Sequence, residues 1–388
     1  MARVVDRWHT KAKKRTSRYG IGKRWQAVWT VAGEERKESF AVKAEAEEHL
    51  VWIGHNQRAG TYVSPERGRV LIGPLLDEWV ATLVHYKPST LSTATSDVRA
   101  TIKPYWGSKV LADIERSDVQ RWVSGMDKAG RTVQTIHGRF VTFLEWCIDE
   151  GRITRNVARS VNLPKGKKRE HIFLTPKQVE ALSNAIDDIY HSLIWVLSTT
   201  GIRIGEAVEL RARDLDLKRK RLRISRAVTF IGGDVIVGLP KNGKTRSIPL
   251  TKLAAYYLAQ AAEGKAPNDL LFVTSRGNQI RPNNFKRRHF DSAVTAVNSA
   301  ERGAGAIFID PGLWVHDLRH TAASWAVQSG ASVKSVQRML GHATAAITLE
   351  VYAGLFDQDL DDVAIKMSEL LERSGIPEPP PFRPAEAA

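Results

Sequence analysis

Two breaks in the hydrophobic pattern constrain the fold of this chain more than any other feature. The first, residues 58–69, contains Gly60, Pro65 and Gly68, and the second is "LPKGKKREHIF" at 163–173. Neither break has helical or strand periodicity, and 388 residues exceed the usual size of one hydrophobic core. We therefore predict a multidomain protein. Its expected parts are 1–64, 69–162, a basic linker at 163–174, 175–375 and a disordered tail at 376–388.

The first part, residues 1–64, is basic and has the pattern of a small α+β module. Its first 24 residues carry nine lysines and arginines against one acid, Asp6. "RWQAVWTV" (24–31) and "RKESFAV" (36–42) alternate as half-buried strands do, and 43–57 has helical spacing. The module is either a folding appendage or, as its charge favours, a DNA-binding arm. The basic residues chosen for such contacts are Lys13, Lys14 and Arg15.

The second part, residues 69–162, has the pattern of an all-α domain. Apolar residues recur at helical spacing in "VLIGPLLDEWVATL", "STLSTATSDVRATIKPYW", "DIERSDVQRWVSGM" and "TVQTIHGRFVTFLEWCIDEG". The second of these helices should start after Pro88 and end near Pro104. The single cysteine, Cys147, is predicted to be a core residue. Because the sequence has one cysteine, an internal disulfide and a four-cysteine zinc site are excluded.

The third part, residues 175–375, has the pattern of a mixed, mainly helical domain. It opens with "TPKQVEAL", in which Thr175 and Gln178 form a capping box and Pro176 takes the first helical position. Residues 221–250 alternate with a period of two, which predicts a small antiparallel sheet. Helical spacing returns after this segment.

The net charge indicates a polyanionic partner. Lysine and arginine total 58 against 42 aspartate and glutamate, a formal net charge of +16. Such an excess suits nucleic acid, although a basic surface without a partner is the plain alternative. Apolar runs of membrane-spanning length and the apolar core of a signal peptide are both missing from the sequence. We expect a soluble, cytosolic protein without membrane contact.

"STTGIRIGEAVEL" places an arginine where a helix begins. Arg203 follows Gly201, which should end one helix, and precedes another helix that contains Glu206. Free backbone N–H groups at a helix start favour an anion, so Arg203 is a candidate anion ligand, held by Glu206 one turn later. The alternative is a surface arginine paired with Glu206.

"LPKNGKTRSIPL" (239–250) places lysines on a turn beside the predicted sheet. Asn242-Gly243 is a hairpin signal that would lift Lys241 to the tip, with Lys244 as the neighbouring candidate. An ammonium group there can reach a bound substrate, although a solvated turn lysine is the commoner case.

"VHDLRH" (315–320) puts two histidines and an arginine one helical turn apart, because residues three and four apart share a face. A zinc site using His320 and His342 is electrostatically poor, since Arg319 would face the cation. A phosphate explains the mixture better. Arg319 offers two parallel donors to it, and His316 adds a hydrogen bond or a proton.

"SVQRMLGHATAAITLEVYAG" (335–354) completes the set of candidate residues. A helix should end at Leu340 with Gly341 as its C-terminal cap, and His342 follows at once. Tyr352 lies on the next helix. Taken alone, Tyr352 is more readily a core aromatic than a nucleophile.

Together, the order Arg, Lys, His-x-x-Arg, His, Tyr resembles the tyrosine recombinase family, which includes the phage integrases. The resemblance is carried by "TGIRIGEAVEL", "PKNGKTRSIPL", "HDLRHTAASW" and "LGHATAAITLEVYAG". Residues 88–122 resemble the core-type DNA-binding domain of integrases, and residues 1–64 resemble their arm-type domain. The resemblance implies a small α+β module, an all-α (SAM-like) domain and a mainly α catalytic domain with a small antiparallel sheet, the DNA breaking-rejoining fold.

The resemblance also implies a chemistry. Tyr352 would be the nucleophile that attacks the scissile phosphodiester and forms a 3′-phosphotyrosyl link. Arg203 and Arg319 would clamp the non-bridging oxygens in the place of a metal ion. The covalent link conserves the phosphodiester energy, so neither a metal, nor ATP, nor another cofactor is implied.

The remaining residues of the pattern take supporting roles by the same resemblance. His316 and His342 would hydrogen-bond the phosphate and assist proton transfer. Lys241 would protonate the departing 5′-oxygen, with Lys244 left open as the alternative. Glu206 would support the first arginine.

The implied function is a site-specific DNA recombinase that integrates a phage or other mobile element. Excision of the same element is left open. Its partners would be double-stranded DNA at core-type and arm-type sites, three further copies of the chain, a host DNA-bending protein and an excision factor. It would work in the bacterial cytoplasm, at the nucleoid. The alternatives are a DNA-binding regulator without catalysis and a type IB topoisomerase-like enzyme.

Two further segments are given roles. The basic linker should cross a DNA groove through Lys165, Lys167, Lys168 and Arg169. The helical pattern at 355–375 either finishes the catalytic core of its own chain or packs on a neighbouring protomer.

Overall fold

The computed structural model divides the chain into two compact units, Met1–Lys168 and Arg169–Ala388. It describes residues 2–31, 33–58, 65–167, 169–300, 306–356 and 359–376, without the side chains of 65, 356 and 359–363. Part of the predicted first break, Lys168, and residues 377–388 of the predicted tail therefore lie outside the described residues.

A three-stranded antiparallel sheet and one helix form the start of the first unit. Its elements are β1 (Arg3–Asp6), β2 (Trp25–Val31), β3 (Glu34–Phe40) and α1 (Lys43–Arg58), with the strands in the order β1-β2-β3. The buried side chains of Ala27 and Trp29 pack against Ala46 and Ile53 of the helix. The two predicted strands and the helix are confirmed. β1 is an addition, because four residues inside a basic arm are too short a stretch for alternation to stand out.

Helices build the remainder of the first unit. They are α2 (Pro65–Gly68), α3 (Ile72–Thr82), α4 (Pro88–Asp97), α5 (Lys103–Trp106), α6 (Arg116–Ser124) and α7 (Gly130–Asp149). An aromatic core joins them, in which Trp106, Trp122 and Phe140 pack with ring centroids 4.8 to 5.6 Å apart. Cys147 is fully buried, as predicted, and burial raises the pKa of its thiol to about 12.

The second predicted helix continues past Pro104. A π turn, Val98–Ile102, joins α4 to α5, and the Lys103 N–H donates to the Val98 carbonyl five residues back. This wider turn carries the helical path across a proline that has no N–H to donate. Trp106, the last residue of α5, is thereby placed in the aromatic core.

The start of the predicted basic linker is fixed to the first unit. Gln134 Nε2 donates to the Pro164 carbonyl at 2.9 Å. A Cβ on Gly130 would lie 2.6 Å from the Lys165 carbonyl oxygen, so the close approach of the two backbones requires glycine there. The division between the units then falls within the predicted linker, between residues 168 and 169.

The second unit is mainly helical. Its helices are α8 (Pro176–Ala185), α9 (Asp188–Thr200), α10 (Ile204–Ala207), α11 (Lys252–Ala262), α12 (Pro282–Phe285), α13 (Asp291–Ala300), α14 (Asp317–Gln328), α15 (Val333–Leu340), α16 (Ala345–Phe356) and α17 (Asp359–Arg373). The predicted capping box is confirmed, since Thr175 N–H donates to Gln178 Oε1 at 2.8 Å. The buried face of α9, which includes Leu193, Ile194 and Leu197, belongs to the main core of this unit.

Among the described residues of the second unit, the strands form two small sheets, and the expectation of a single sheet is wrong. β4 (Leu215–Asp216), β5 (Arg221–Ile224) and β8 (Arg246–Pro249) form one, in the order β4-β5-β8; β6 (Ala227–Ile231) and β7 (Asp234–Gly238) form the other. The Asn242-Gly243 turn therefore connects strands that do not pair. Alternation identifies strands, but their partners are set by packing between distant segments.

α14 is deeply enclosed in the second unit. Every residue from Asp317 to Ser324 is buried, and the helix packs against α9, α15 and α16. Gly201 ends α9 with φ +64°, and a Cβ there would lie 2.7 Å from Leu340 and 3.3 Å from Ala322. Only glycine gives both the left-handed turn and the close approach of these helices.

α17 leaves its described apolar side chains exposed. Ile365, Met367 and Leu370 each keep more than half of their surface accessible. The side chains of Leu360 and Val363, which belong to the same predicted apolar face, lie outside the described residues. Within the part of the chain that the structure describes, helices of the length and apolarity needed to cross a membrane are absent.

Candidate active site

A buried carboxylate joins two arginines at the start of α10. Arg203 is the N-cap residue of this short helix, and Glu206 reaches back to accept from Arg203 N–H at 2.9 Å and from Arg203 Nη1 at 3.0 Å. Arg246, on β8, donates to both oxygens of Glu206, at 3.0 and 2.6 Å. Glu206 is only 1% exposed, so the two guanidinium groups are held by a single desolvated charge.

The Glu206 carboxylate stays ionised in this setting. Burial acts to raise its pKa, but the hydrogen bonds and charge of Arg246, with Arg203, outweigh burial, and the net pKa lies below its usual value. The predicted supporting role of Glu206 toward Arg203 therefore has a geometric basis, and it extends to Arg246.

Arg319 is buried at the first turn of α14 and connects the ends of two helices. Its Nη1 donates to the Gly201 carbonyl at 2.6 Å, and its Nη2 to the Leu340 carbonyl at 2.8 Å. Burial and the nearby charge of Arg203 lower its pKa to about 9, so the group remains charged at neutral pH. These two bonds occupy two of the five N–H groups of a guanidinium, which leaves donors for an anion.

The three histidines of the cluster are neutral at pH 7. Burial and the charges of neighbouring residues, with Arg319 among them, lower the pKa of His320 to about 3 and of His342 to about 4. His316 keeps an exposed edge but is enclosed on the side of His320, where the ring centroids lie 5.1 Å apart. That enclosure, followed by the charges of Arg319 and Arg203, lowers its pKa as well.

Tyr352 points its hydroxyl into the histidine cluster. It lies on α16, is 1% exposed, and its Oη is 2.7 Å from His320 Nδ1. Its ring lies parallel to the ring of His342, with the ring centroids 6.5 Å apart. Burial raises the pKa of Tyr352 to about 12, although the charge of Arg319 acts in the opposite direction. A phenol at this site therefore needs help to lose its proton.

The turn that carries Lys241 and Lys244 is tied to the same region by the side chains of neighbouring residues. Asn242 Nδ2 donates to the Gly341 carbonyl at 3.1 Å, directly before His342. Arg246 Nε donates to the Met339 carbonyl at 3.2 Å. Lys241 and Lys244 are both exposed on this turn, and the choice between them stays a prediction.

The structure separates the predicted DNA-binding residues into two groups. Lys13 and Lys14 are exposed on a turn of the first unit, and the Arg15 guanidinium lies 4.2 Å from the centre of the Tyr19 ring. Lys165 and Lys167 are exposed, and Lys168 lies outside the described residues.

Arg169 is engaged within the protein. Its guanidinium donates to both oxygens of Asp317, at 3.1 and 2.5 Å, and to the Gly312 carbonyl at 2.6 Å. Asp317 is fully buried and also accepts from Trp314 N–H at 2.7 Å. These bonds anchor the segment before α14, and the contact of Arg169 with DNA stays a prediction.

We expect Arg169→Ala to act on stability first. It leaves a buried carboxylate with one partner fewer, and because Arg169 is partly exposed the loss should be about 1–3 kcal/mol. Thermal unfolding should show a lowered midpoint. Lys167→Ala, the exposed counterpart, should leave the midpoint unchanged and weaken DNA binding. Equal midpoints for the two variants would contradict this assignment.

Three groups beneath the cluster have the spacing of metal ligands. Ligand atoms of His171, Asp317 and His320 lie within 4.8 Å of one another. Asp317 already accepts from Arg169 and Trp314, and His320 contacts Tyr352. Asp317 and His320 Nδ1 are therefore engaged in hydrogen bonds within the protein.

The sequence pattern missed three members of the site. Arg246 is hidden in "TRSIPL", where alternation shows a strand and nothing marks the arginine as a partner of Glu206. His171 stacks on His320 with ring centroids 3.8 Å apart, although it lies in the predicted linker. His320 belongs to the "VHDLRH" cluster, but the resemblance gives it no role in the reaction. Its place one turn after His316 was the available signal.

Known proteins resemble this chain in sequence and in fold. Residues 172–359 match the phage integrase family. The integrase of Mycobacterium phage FRAT1 is 24% identical over 353 residues, which cover 88% of this chain and 93% of that protein. The tyrosine recombinase XerC of Anoxybacillus flavithermus is 26% identical over 262 residues, which cover 63% of this chain and 79% of that protein.

Solved structures show the same fold at lower sequence identity. The Tn1549 transposon integrase in complex with transposon right end DNA matches with a TM-score of 0.66 and 19% identity, over 76% of this chain and all of that one. A lambda integrase tetramer bound to a Holliday junction matches with a TM-score of 0.57 and 18% identity, over 82% of this chain and 93% of that one. With the arginines, histidines and tyrosine of the second unit in one cluster, residues 172–359 of this chain form a domain of the phage integrase family, and its relatives are phage integrases and tyrosine recombinases.

Proposed function

We propose that this recombinase integrates a phage or other mobile element into DNA by cutting and rejoining duplex strands through Tyr352. The observation that carries the proposal is the tyrosine hydroxyl, buried beside His320 and His342 and close enough to Arg319 for their charges to interact. A tyrosine with only a packing role has no need of this polar setting. The match to integrases of mycobacteriophages supports the same conclusion.

The arginines supply the electrostatic part of the reaction. Attack on a phosphodiester concentrates negative charge on the equatorial oxygens of a five-coordinate phosphorus. Arg203 and Arg319 are fixed in advance by Glu206 and by two helix ends, so little reorganisation is needed when that charge develops. Preorganised donors of this kind are worth about 3–4 kcal/mol each.

The remaining predicted residues complete the reaction. His316 and His342 donate hydrogen bonds to the bound phosphate, which neutral imidazoles can do through one ring nitrogen. Lys241, or Lys244 on the same turn, protonates the 5′-oxygen as it departs. The phosphotyrosyl bond conserves the energy of the broken phosphodiester, so rejoining proceeds without ATP.

The first unit is the natural candidate for recognition of the attachment sites. Its N-terminal turn presents Lys13, Lys14 and Arg15, and the chain leading to the second unit presents Lys165 and Lys167. We assign the former to arm-type sites and the latter to core-type sites, with affinity that falls steeply as salt increases. A host DNA-bending protein, an excision factor and a location at the bacterial nucleoid belong to the same proposal.

Strand exchange needs more than one copy of the chain. A relative has been solved as a tetramer on a Holliday junction. The exposed apolar side chains Ile365, Met367 and Leu370 on α17 are suited to cover a neighbouring protomer. We propose that α17 packs in trans within a tetramer on DNA.

The test is a nicked suicide duplex that carries one half of an attachment site. In buffer with EDTA, the chain should become covalently joined to the 3′ end of the cut strand, and two intact sites should exchange strands. Binding without an adduct would favour the DNA-binding regulator. An adduct with relaxation of supercoils but no exchange would favour the type IB topoisomerase-like enzyme.

A further inference from the structure

The hydroxyl of Tyr352 is sealed from solvent. The residue is 1% exposed and lies in a small core with Ala323, Val336 and Leu340. Bulk water therefore cannot collect its proton in this arrangement. The nearest described acceptor is His320 Nδ1, 2.7 Å from Tyr352 Oη.

His320 is in the right protonation state to accept. Burial and the surrounding histidines and Arg319 keep it neutral at pH 7. In a neutral imidazole one nitrogen carries the hydrogen and the other offers a lone pair. With Tyr352 O–H donating to Nδ1, the hydrogen of His320 lies on Nε2.

The imidazole is also held in place. His171 stacks on one side of it with ring centroids 3.8 Å apart, and His316 meets it edge-on at 5.1 Å. His320 is 8% exposed and lies on α14 next to Arg319 in the chain, so the two groups share one rigid support. Because the acceptor is already oriented, little entropy is lost in positioning it during the reaction.

We propose that His320 is the general base of the recombinase, the group that takes the proton of Tyr352 as the tyrosine oxygen attacks the phosphorus. The inference rests on the proposed function and assigns to His320 the proton transfer that the sequence pattern shared between His316 and His342. In the cleavage step, the Oη–P bond forms and the P–O5′ bond breaks. The phenol proton moves to Nδ1, and the lysine proton goes to the leaving oxygen. In rejoining, each proton returns.

The low proton affinity of His320 in the empty site does not oppose this role. The groups that face it and depress its pKa are His171, His316, His342 and Arg319. A bound phosphodiester brings a negative charge among them and offsets that of the arginine. Formation of the Oη–P bond also makes the phenol proton far more acidic, so the transfer becomes favourable as the bond forms.

The decisive experiment compares His320→Asn with the unchanged chain in single-turnover cleavage. Asparagine places an oxygen near the position of Nδ1, so it retains the hydrogen bond but cannot accept the proton. One substrate has the normal 5′-oxygen, and a second has sulfur in that bridging position, which departs without a proton. We expect His320→Asn to be slower on both substrates by about 10²–10³-fold.

Two control variants define the comparison. A variant with both Lys241→Ala and Lys244→Ala, which removes both candidates for the acid, should be slow only on the oxygen substrate. His191→Asn alters a second histidine of the same unit, one whose Nε2 lies 3.1 Å from the hydroxyl of Tyr257, and should cleave at the normal rate. Cleavage by His320→Asn at the normal rate would overturn the assignment, as would a defect limited to the oxygen substrate.

A second measurement needs no substitution at residue 320. On the sulfur substrate, the unchanged chain should cleave more slowly in D₂O, because the proton in flight is then the one leaving Tyr352. Equal rates in the two solvents would overturn the assignment. If the unchanged chain forms no adduct with either substrate, the proposed function fails instead, and the two failures are distinguishable.

Discussion

Replacement of Tyr352 by phenylalanine is expected to abolish covalent attachment to DNA while leaving DNA binding intact. The substitution removes one oxygen and keeps the ring, which packs in the core of α14, α15 and α16. Because the attacking atom is lost, the adduct on a nicked suicide duplex should fall below detection. The unpaired His320 Nδ1 should cost only about 1–3 kcal/mol of stability. Gel shift and denaturing electrophoresis on the same samples separate the two effects.

Tyr257→Phe is the matched control. This tyrosine also gives its hydroxyl to a histidine, His191, but it lies on α11 and is not a member of the candidate site. We expect an unchanged amount of adduct from it. An adduct that persists in Tyr352→Phe and maps to another residue would remove the basis of the proposed reaction.

Replacement of Glu206 by alanine is expected to be the most destabilising single change in the site. It leaves Arg203 and Arg246 facing each other without their shared counter-charge. Removal of one partner from a buried ion pair typically costs about 3–5 kcal/mol, and Glu206 is 1% exposed. Denaturant unfolding should show this loss, and cleavage should fall with it because Arg203 loses its anchor. Glu263→Gln, an exposed glutamate of the same unit, should change stability by less than about 0.5 kcal/mol.

The Glu206 contribution should also depend on pH. Its pKa in the folded chain is lowered, so its stabilising effect is fully present above the unfolded pKa of about 4.3 and is lost as pH falls through the lower folded value. The stability difference between the unchanged chain and Glu206→Gln should therefore be constant near neutral pH and shrink in acid. A difference that grows as the pH falls would contradict the ionised state of Glu206.

Local patterns predicted much of the fold and the order of the site residues. Capping residues such as Thr175 and the glycine after α9 mark helix ends through short-range hydrogen bonding and φ preference. Helical spacing at 130–149 identifies a buried face by period alone. The candidates Arg203, Arg319, His342 and Tyr352 come from motifs whose members the tertiary structure brings together in the second unit.

Other parts of the site could not be read from local pattern. Arg246 shares Glu206 with Arg203, from a strand 40 residues further along the chain. Arg169 is one of several basic residues in the predicted linker, and its bonds to Asp317, 148 residues away, leave no trace in the local sequence. Contacts at such separations depend on which helices pack together, and side-chain spacing carries no record of that.

The sequence by itself determined which side chains are present, their order, and the helices and strands that carry them. Those properties follow from hydrophobic period, capping and turn chemistry, which act over a few residues. Only the tertiary structure decided which strands pair, that Arg169 binds the buried Asp317, and that the Tyr352 hydroxyl meets His320. The reason is physical: these outcomes depend on burial and close packing between segments that are far apart in the chain. A buried charge or hydroxyl needs a hydrogen-bond partner within about 3 Å, and the folded core decides which residue stands there.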